Sequence, residues 1–325
     1  MYTVALNAQI DESPPDLTHG GRGRHWGVTE FKQFFHDERH WLLLIVPLLI
    51  SLFGPIQWLA QQWSVSSDAL GFQPFVPLGV GYLIWAERDA TASTYHGLAS
   101  IYPEGHSSRR GTPFIAYIGC AILFVSYITT IGMIAVVGFW VCVIGILLHV
   151  YGFTVLRTLW RPFLFAATMV PIPGSIIDAA TSRLQLGCAT AAGALLKVIY
   201  PQTHTLGNFI TVGQYTAQVS GPCSGVGILL PVLVLTLFLA LLRKIRWPLA
   251  LILLGCSAGI ALFMNTIRIV IMGLIGVQNP GLASNLHDAN SWVFTALAFY
   301  LTFLLARRIG PRTQYVEDDL PPDEE

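Results

Sequence analysis

The chain of 325 residues predicts an all-α polytopic membrane protein with about eight transmembrane helices. Three observations carry that expectation. Hydrophobic residues make up 54% of the chain and charged residues only 11%, whereas soluble domains are about one-quarter charged. The apolar residues fall into runs close to the ~20 residues that cross a bilayer as a helix. The basic residues cluster in alternate connections, as they do when Lys and Arg collect on the cytoplasmic side.

The spans are read at 41–60, 70–86, 113–131, 133–153, 162–179, 222–242, 248–272 and 288–306. The second is short and interrupted by Pro and Gly. The fifth contains Met169-Val-Pro-Ile-Pro173, which should kink or end its helix. The following stretch, from Asp178 to Tyr200, has apolar residues at helical spacing with Asp178, Arg183, Gln185 and Lys197 between them. It reads as an outer-leaflet or re-entrant amphipathic helix that stabilises the surface. Residues 207–222 are polar, β-branched and Gly-rich, and read as an external loop or short hairpin. Gly255-Cys-Ser-Ala-Gly259 fits a close helix-packing seam. Residues 1–38 and 310–325 read as disordered cytoplasmic tails, the second acidic and Pro-rich, and 39–309 as one transmembrane domain. No cleavable signal peptide is expected ahead of the first apolar run.

Charge placement orients the spans. With both termini cytoplasmic, the inner segments hold Arg22, Arg24, Lys32 and Arg39, then Arg88, Arg109 and Arg110, then Arg157 and Arg161. Arg243, Lys244 and Arg246 follow, and then Arg307, Arg308 and Arg312. Only Arg183, Lys197 and Arg268 fall elsewhere. Span count and orientation thus support each other.

Three reactive residues stand out against this apolar background. Arg268 lies within FMNTIRIVIMGLIG, where a charge costs about 2.5–3.5 kcal/mol on insertion scales and marks a functional site by default. Cys223 sits in GPCSGVG at the start of the sixth span, and His287 in NLHDANSW at the start of the eighth. The topology brings all three to the extracytoplasmic surface. A cysteine in the first turn of a helix feels the positive end of the dipole, while burial near lipid opposes its ionisation, so a neighbouring cation would decide. A guanidinium can clamp an oxyanion in a water-poor site. Asn265, three residues before Arg268, shares its helical face and could hold the guanidinium or donate a further hydrogen bond. His287 could act as general base and acid. Ser224 and Asp288 are supporting candidates.

Competing chemistries lack their parts. There is no HExxH, no Walker loop and no acidic residue deep in a span. The cysteines form no CxxC pair, and those other than Cys223 read as small apolar fillers. No metal or organic cofactor is expected, and nothing points to nucleic acid. Two other readings remain open: a transporter in which Arg268 binds an anion, and a membrane acyl or glycan transferase built on His287 and Asp288.

The chain resembles the exosortase/archaeosortase family of membrane-embedded cysteine transpeptidases. The resemblance rests on Cys223-Ser-Gly225 opening one span, Asn265-Thr-Ile-Arg268-Ile269 late in the next, and His287 opening the one after. It extends upstream through MVPIPGSIIDAATSRLQLGCATAAGALL and covers roughly residues 40–306. It implies a bacterial-type enzyme in the cell (inner) membrane. Its partners would be exported proteins carrying a C-terminal, PEP-CTERM-like sorting signal, cleaved through a Cys223 thioester and transferred to an acceptor. In that role Arg268 would stabilise the oxyanion and His287 protonate the leaving amine.

Overall fold

The computed structural model describes residues 71–93, 114–129, 131–170 and 172–309. The first expected span and both tails lie outside the described residues. Those that are described form mainly helices: α1 (Val76–Ala86), α2 (Phe114–Thr129), α3 (Gly132–Thr158), α4 (Trp160–Ala166) and α5 (Gly174–Ile199). After a small sheet come α6 (Val226–Leu242), α7 (Trp247–Gln278) and α8 (Pro280–Ile309). Among the described residues, three segments are long and apolar enough to cross a membrane, Gly132–His149, Trp247–Gln278 and Asn290–Ile309, and the bent pair Trp160–Met169 and Gly174–Ile199 makes a fourth if counted as one span. The helices α2 and α6 are apolar but shorter.

The second expected span is a 3-10 turn at Gln73–Phe75 followed by the eleven residues of α1. At 1.5 Å per residue α1 covers about 16 Å, and helix resumes at residues 88–93 after a one-residue turn at Glu87. The fifth is broken where its prolines predict. The chain runs through α4 and a 3-10 turn at Ala167–Met169, then bends by 79° into α5.

The expected amphipathic helix exists as α5, but it is not a free surface helix. Its small-residue face (Cys188, Ala189, Ala192, Gly193) and Leu196 are buried. They pack with Ile210, Val212 and Val219 of the sheet region and with Ile269 and Val270 of α7. Gly193 and Gly273 permit the approach, since a Cβ there would meet Thr205 and Leu196.

The expectation of an all-α fold is corrected between Thr203 and Gln218. The short hairpin expected within residues 207–222 forms from β2 (Phe209–Val212) and β3 (Tyr215–Gln218), and β1 (Thr203–Leu206) extends it to an antiparallel meander. Two-residue turns join the strands, each opening on a glycine at positive φ, Gly207 at 60° and Gly213 at 59°. Each strand has only four residues, so alternation in the sequence is brief. Burial of Ile210 and Val212 on α5 holds the sheet in place.

A second core joins α6, α7 and α8 through Ile228, Val232, Ala261, Met264, Phe294 and Ala298. Close helix approach occurs between α2 and α3, where a Cβ on Gly119 or Gly145 would strike the backbone of Cys142 or Ala116. Gly255 and Gly259, expected to form such a seam, are exposed and meet no described residue within 4 Å. Outward faces carry large apolar side chains such as Leu78, Phe124, Leu251 and Val293. Such surfaces suit lipid and would be a liability in water.

One buried charge cluster escaped the sequence reading. Glu87, at the end of α1, is 6% exposed. It receives Arg161 Nη1 at 2.6 Å and Lys244 Nζ at 3.3 Å. The Arg243 guanidinium donates to the Ala306 carbonyl. These contacts tie α1, α4, α6 and α8 together at the far end of α6 from Cys223. Removing one partner of a buried ion pair costs about 3–5 kcal/mol, and of an exposed pair under ~1. Glu87→Gln is therefore expected to destabilise the protein in detergent by about 1–3 kcal/mol. Chemical denaturation of the purified variant checks this, and an unchanged midpoint would rule the cluster out as a tie.

Candidate active site

The site begins with a turn that only a few residue types can make. Gly221–Cys223 form a 3-10 turn, and the Cys223 and Ser224 N–H groups donate to the Ser220 and Gly221 carbonyls at 3.0 Å. Gly225 then takes φ +92°, a left-handed conformation that penalises any residue with a Cβ. A Cβ there would also lie 3.0 Å from Asn265 Nδ2. The Ser224 hydroxyl accepts the Val226 N–H at 3.3 Å, closing a local turn that leads into α6. Cys223 consequently precedes α6 by three residues rather than occupying its first turn.

Helix α7 approaches this turn from the side. Arg268 is 1% exposed and Asn265 fully buried. Their spacing of three places both on one face, and both reach Cys223. Asn265 Nδ2 donates to the Cys223 carbonyl at 3.0 Å. Arg268 Nη2 stands 3.7 Å from Cys223 Sγ. Asn265 thus anchors the backbone of the cysteine rather than the guanidinium. A third restraint comes from α5, where the Cys188 thiol donates to the Ser224 carbonyl at 3.6 Å. Sequence had marked Cys188 as a filler, because its role depends on which face of α5 is buried.

Cys223 and Arg268 line a cavity of about 430 Å³. Its other walls are the run from Tyr215 to Ser220, the α7 residues Ile269, Met272 and Gly273, and Pro280 and Ala283 of α8. Helix α8 starts at Pro280, so position 287 lies seven residues inside it rather than at its mouth. Positions 280, 283 and 287 share one helical face by their spacing. The side chains of His287 and Asp288 lie outside the described residues. Among the described residues no group of three or more His, Cys, Asp or Glu could hold a metal ion.

Residues 58–304 match the family of transmembrane exosortases (Exosortase_EpsH). The chain belongs to that family. It is a membrane-embedded, multi-pass protein of a family whose members act as sorting transpeptidases on exported proteins. No curated protein and no solved structure matches it.

Gly225 tests the construction of the turn. Gly225→Ala should lower stability by about 1–2 kcal/mol, because it forces a Cβ into the left-handed region. It should also change the rate at which Cys223 forms a mixed disulfide with a small methanethiosulfonate. Gly255→Ala, which meets no described residue within 4 Å, should alter neither. Equal behaviour of the two variants would contradict the geometry described.

Proposed function

We propose that this exosortase is a cysteine transpeptidase in which Cys223 is the nucleophile. The observation that carries the reading is the Arg268 guanidinium 3.7 Å from the Cys223 sulfur, both lining one cavity. A buried guanidinium beside a thiol supplies fixed donors to an oxyanion formed there.

The reaction proceeds by acyl transfer. His287 takes the Cys223 proton, and the sulfur attacks the carbonyl of the scissile peptide bond. The C–S bond forms, and negative charge gathers on the carbonyl oxygen near Arg268. The C–N bond then breaks, with the proton passing from His287 to the departing amine. An acceptor nucleophile attacks the thioester and restores the thiol. The shared helical face of Pro280, Ala283 and position 287 supports His287 in this role. The Asn265 hydrogen bond keeps the sulfur from drifting, a positioning task, since Asn265 contacts the cysteine backbone. Ser224 braces the same turn, and Asp288, next to His287 in sequence, is the candidate to orient it.

The substrate class is an exported protein with a C-terminal, PEP-CTERM-like signal: a short motif, one membrane helix and a basic cluster. Its motif would meet Cys223 at the extracytoplasmic side of the cell membrane. Eight spans with both termini cytoplasmic fit this arrangement. Arg161, Arg243 and Lys244, at the opposite end of α6, belong to segments assigned to the cytoplasm. The 17 residues of α6 separate the two ends by roughly 26 Å, comparable with a ~30 Å hydrocarbon core.

Co-expression with a candidate signal-bearing protein from the same genome tests the reading, with loss of the C-terminal helix followed by immunoblot. Cys223→Ala should abolish processing, whereas Ser224→Ala should retain most of it. Arg268→Lys, which keeps charge but not the guanidinium fork, should cost about 10²–10³ in rate. His287→Ala should also abolish processing. Processing unaffected by Cys223→Ala would sink the thiol mechanism and shift the chemistry to His287.

A further inference from the structure

The cavity at Cys223 is bounded by a strand whose outer edge pairs with no described residue. In an antiparallel ladder, residues alternate between those bonded to the neighbouring strand and those that turn N–H and C=O away. The Val219 N–H donates to the Asn208 carbonyl at 2.8 Å, one step beyond the Phe209–Gln218 pair. Tyr215, Ala217 and Val219 therefore bond inward to β2. Thr216 and Gln218 present their backbone groups to the other side. β3 ends the order β1-β2-β3. Among the described residues, no backbone hydrogen bond joins Thr216 or Gln218 to a further segment.

The cavity runs along that edge. Successive strand residues point to opposite faces, so a space over one face touches every second residue. This one touches every residue from Tyr215 to Ser220, and Cys223 and Arg268 line it as well. At the distant end, a Cβ on Gly276 would collide with the Tyr215 ring, which places β3 hard against α7.

An open edge is a template for another strand, and proteins usually blunt it with Lys, Pro or a bulge. The edge sequence Tyr-Thr-Ala-Gln contains neither Lys nor Pro, and its register with β2 runs without a bulge. We propose that β3 is a docking strand to which an extended peptide of the substrate adds as a fourth strand. Backbone hydrogen bonds to Thr216 and Gln218 hold it, in the mode known as strand addition. Four residues of β3 span about 13 Å, and the chain leads on from there to Cys223. A segment lying beside it delivers one peptide carbonyl to the sulfur. The inference rests on the transpeptidase reading and adds to it how the substrate is held: extended, and gripped by its backbone.

Disulfide capture tests this without turnover. Gln218→Cys, on a Cys223→Ala background, is co-expressed with the candidate signal-bearing protein carrying one cysteine at successive positions ahead of its helix. The same background with Gln218 intact is the control. Strand addition predicts capture at positions two apart, with at least about fivefold less between them. Uniform capture, or none above control, overturns it. Alternating capture without wild-type processing would keep the docking strand and sink the thiol chemistry. Processing without capture would do the reverse. In the processing assay, Thr216→Pro removes an outward N–H and should lower the rate about tenfold. An unchanged rate in that variant would also overturn the proposal.

Discussion

A guanidinium buried to 1% exposure inside an apolar helix is the constraint around which the site is organised. Such a charge is costly unless its donors are met and its field is used. One of those donors, Nη2, stands at Cys223. Arg268 and Asn265 stand one helical turn apart and reach the sulfur and the carbonyl of Cys223. Cys223 must therefore present both atoms toward α7, and the chain has to reverse immediately afterwards to begin α6. The positive φ of Gly225 makes that reversal. The Cys188 thiol on the Ser224 carbonyl draws α5 into the same junction. Three helices thus converge on one turn.

The opposite end of the bundle is held by different means. There Glu87 gathers Arg161 and Lys244, and Arg243 binds the Ala306 carbonyl. Between the two polar ends the core is apolar and rich in small residues, so the helices pack closely without further charges. The spacing of the ends along α6 is close to the thickness of a bilayer's hydrocarbon region. Each polar cluster can then meet water or headgroups while the apolar outer faces meet lipid.

The sheet occupies the one kind of place in which such a protein can keep an open strand edge. Within hydrocarbon, unpaired backbone groups cost several kcal/mol each, and open edges are tolerated only beside protein or a water-filled space. The outward groups of Thr216 and Gln218 border the cavity that holds Cys223 and Arg268. Their hydrogen-bonding capacity is available to whatever fills that space.

The sequence by itself determined the membrane class, the apolar helices α2, α3, α6, α7 and α8, and the break at Met169-Val-Pro-Ile-Pro173. Composition, run length and proline chemistry act locally, so they are visible without a fold. It also singled out Cys223, Arg268 and Asn265, because a charge and an amide in an apolar run need a reason wherever they sit. The tertiary structure decided what each one touches. Asn265 went to the Cys223 carbonyl and not to Arg268, Cys188 became a brace, and Glu87 became a buried tie. Gly119 and Gly145 took the close helix contact expected at Gly255 and Gly259. The added strand β1, too, lay outside the hairpin legible at 207–222, and the sheet it completes is buried on α5 and α7. These outcomes depend on which helix faces meet, and a contact between residues 42 or 157 positions apart leaves no local pattern in a single sequence.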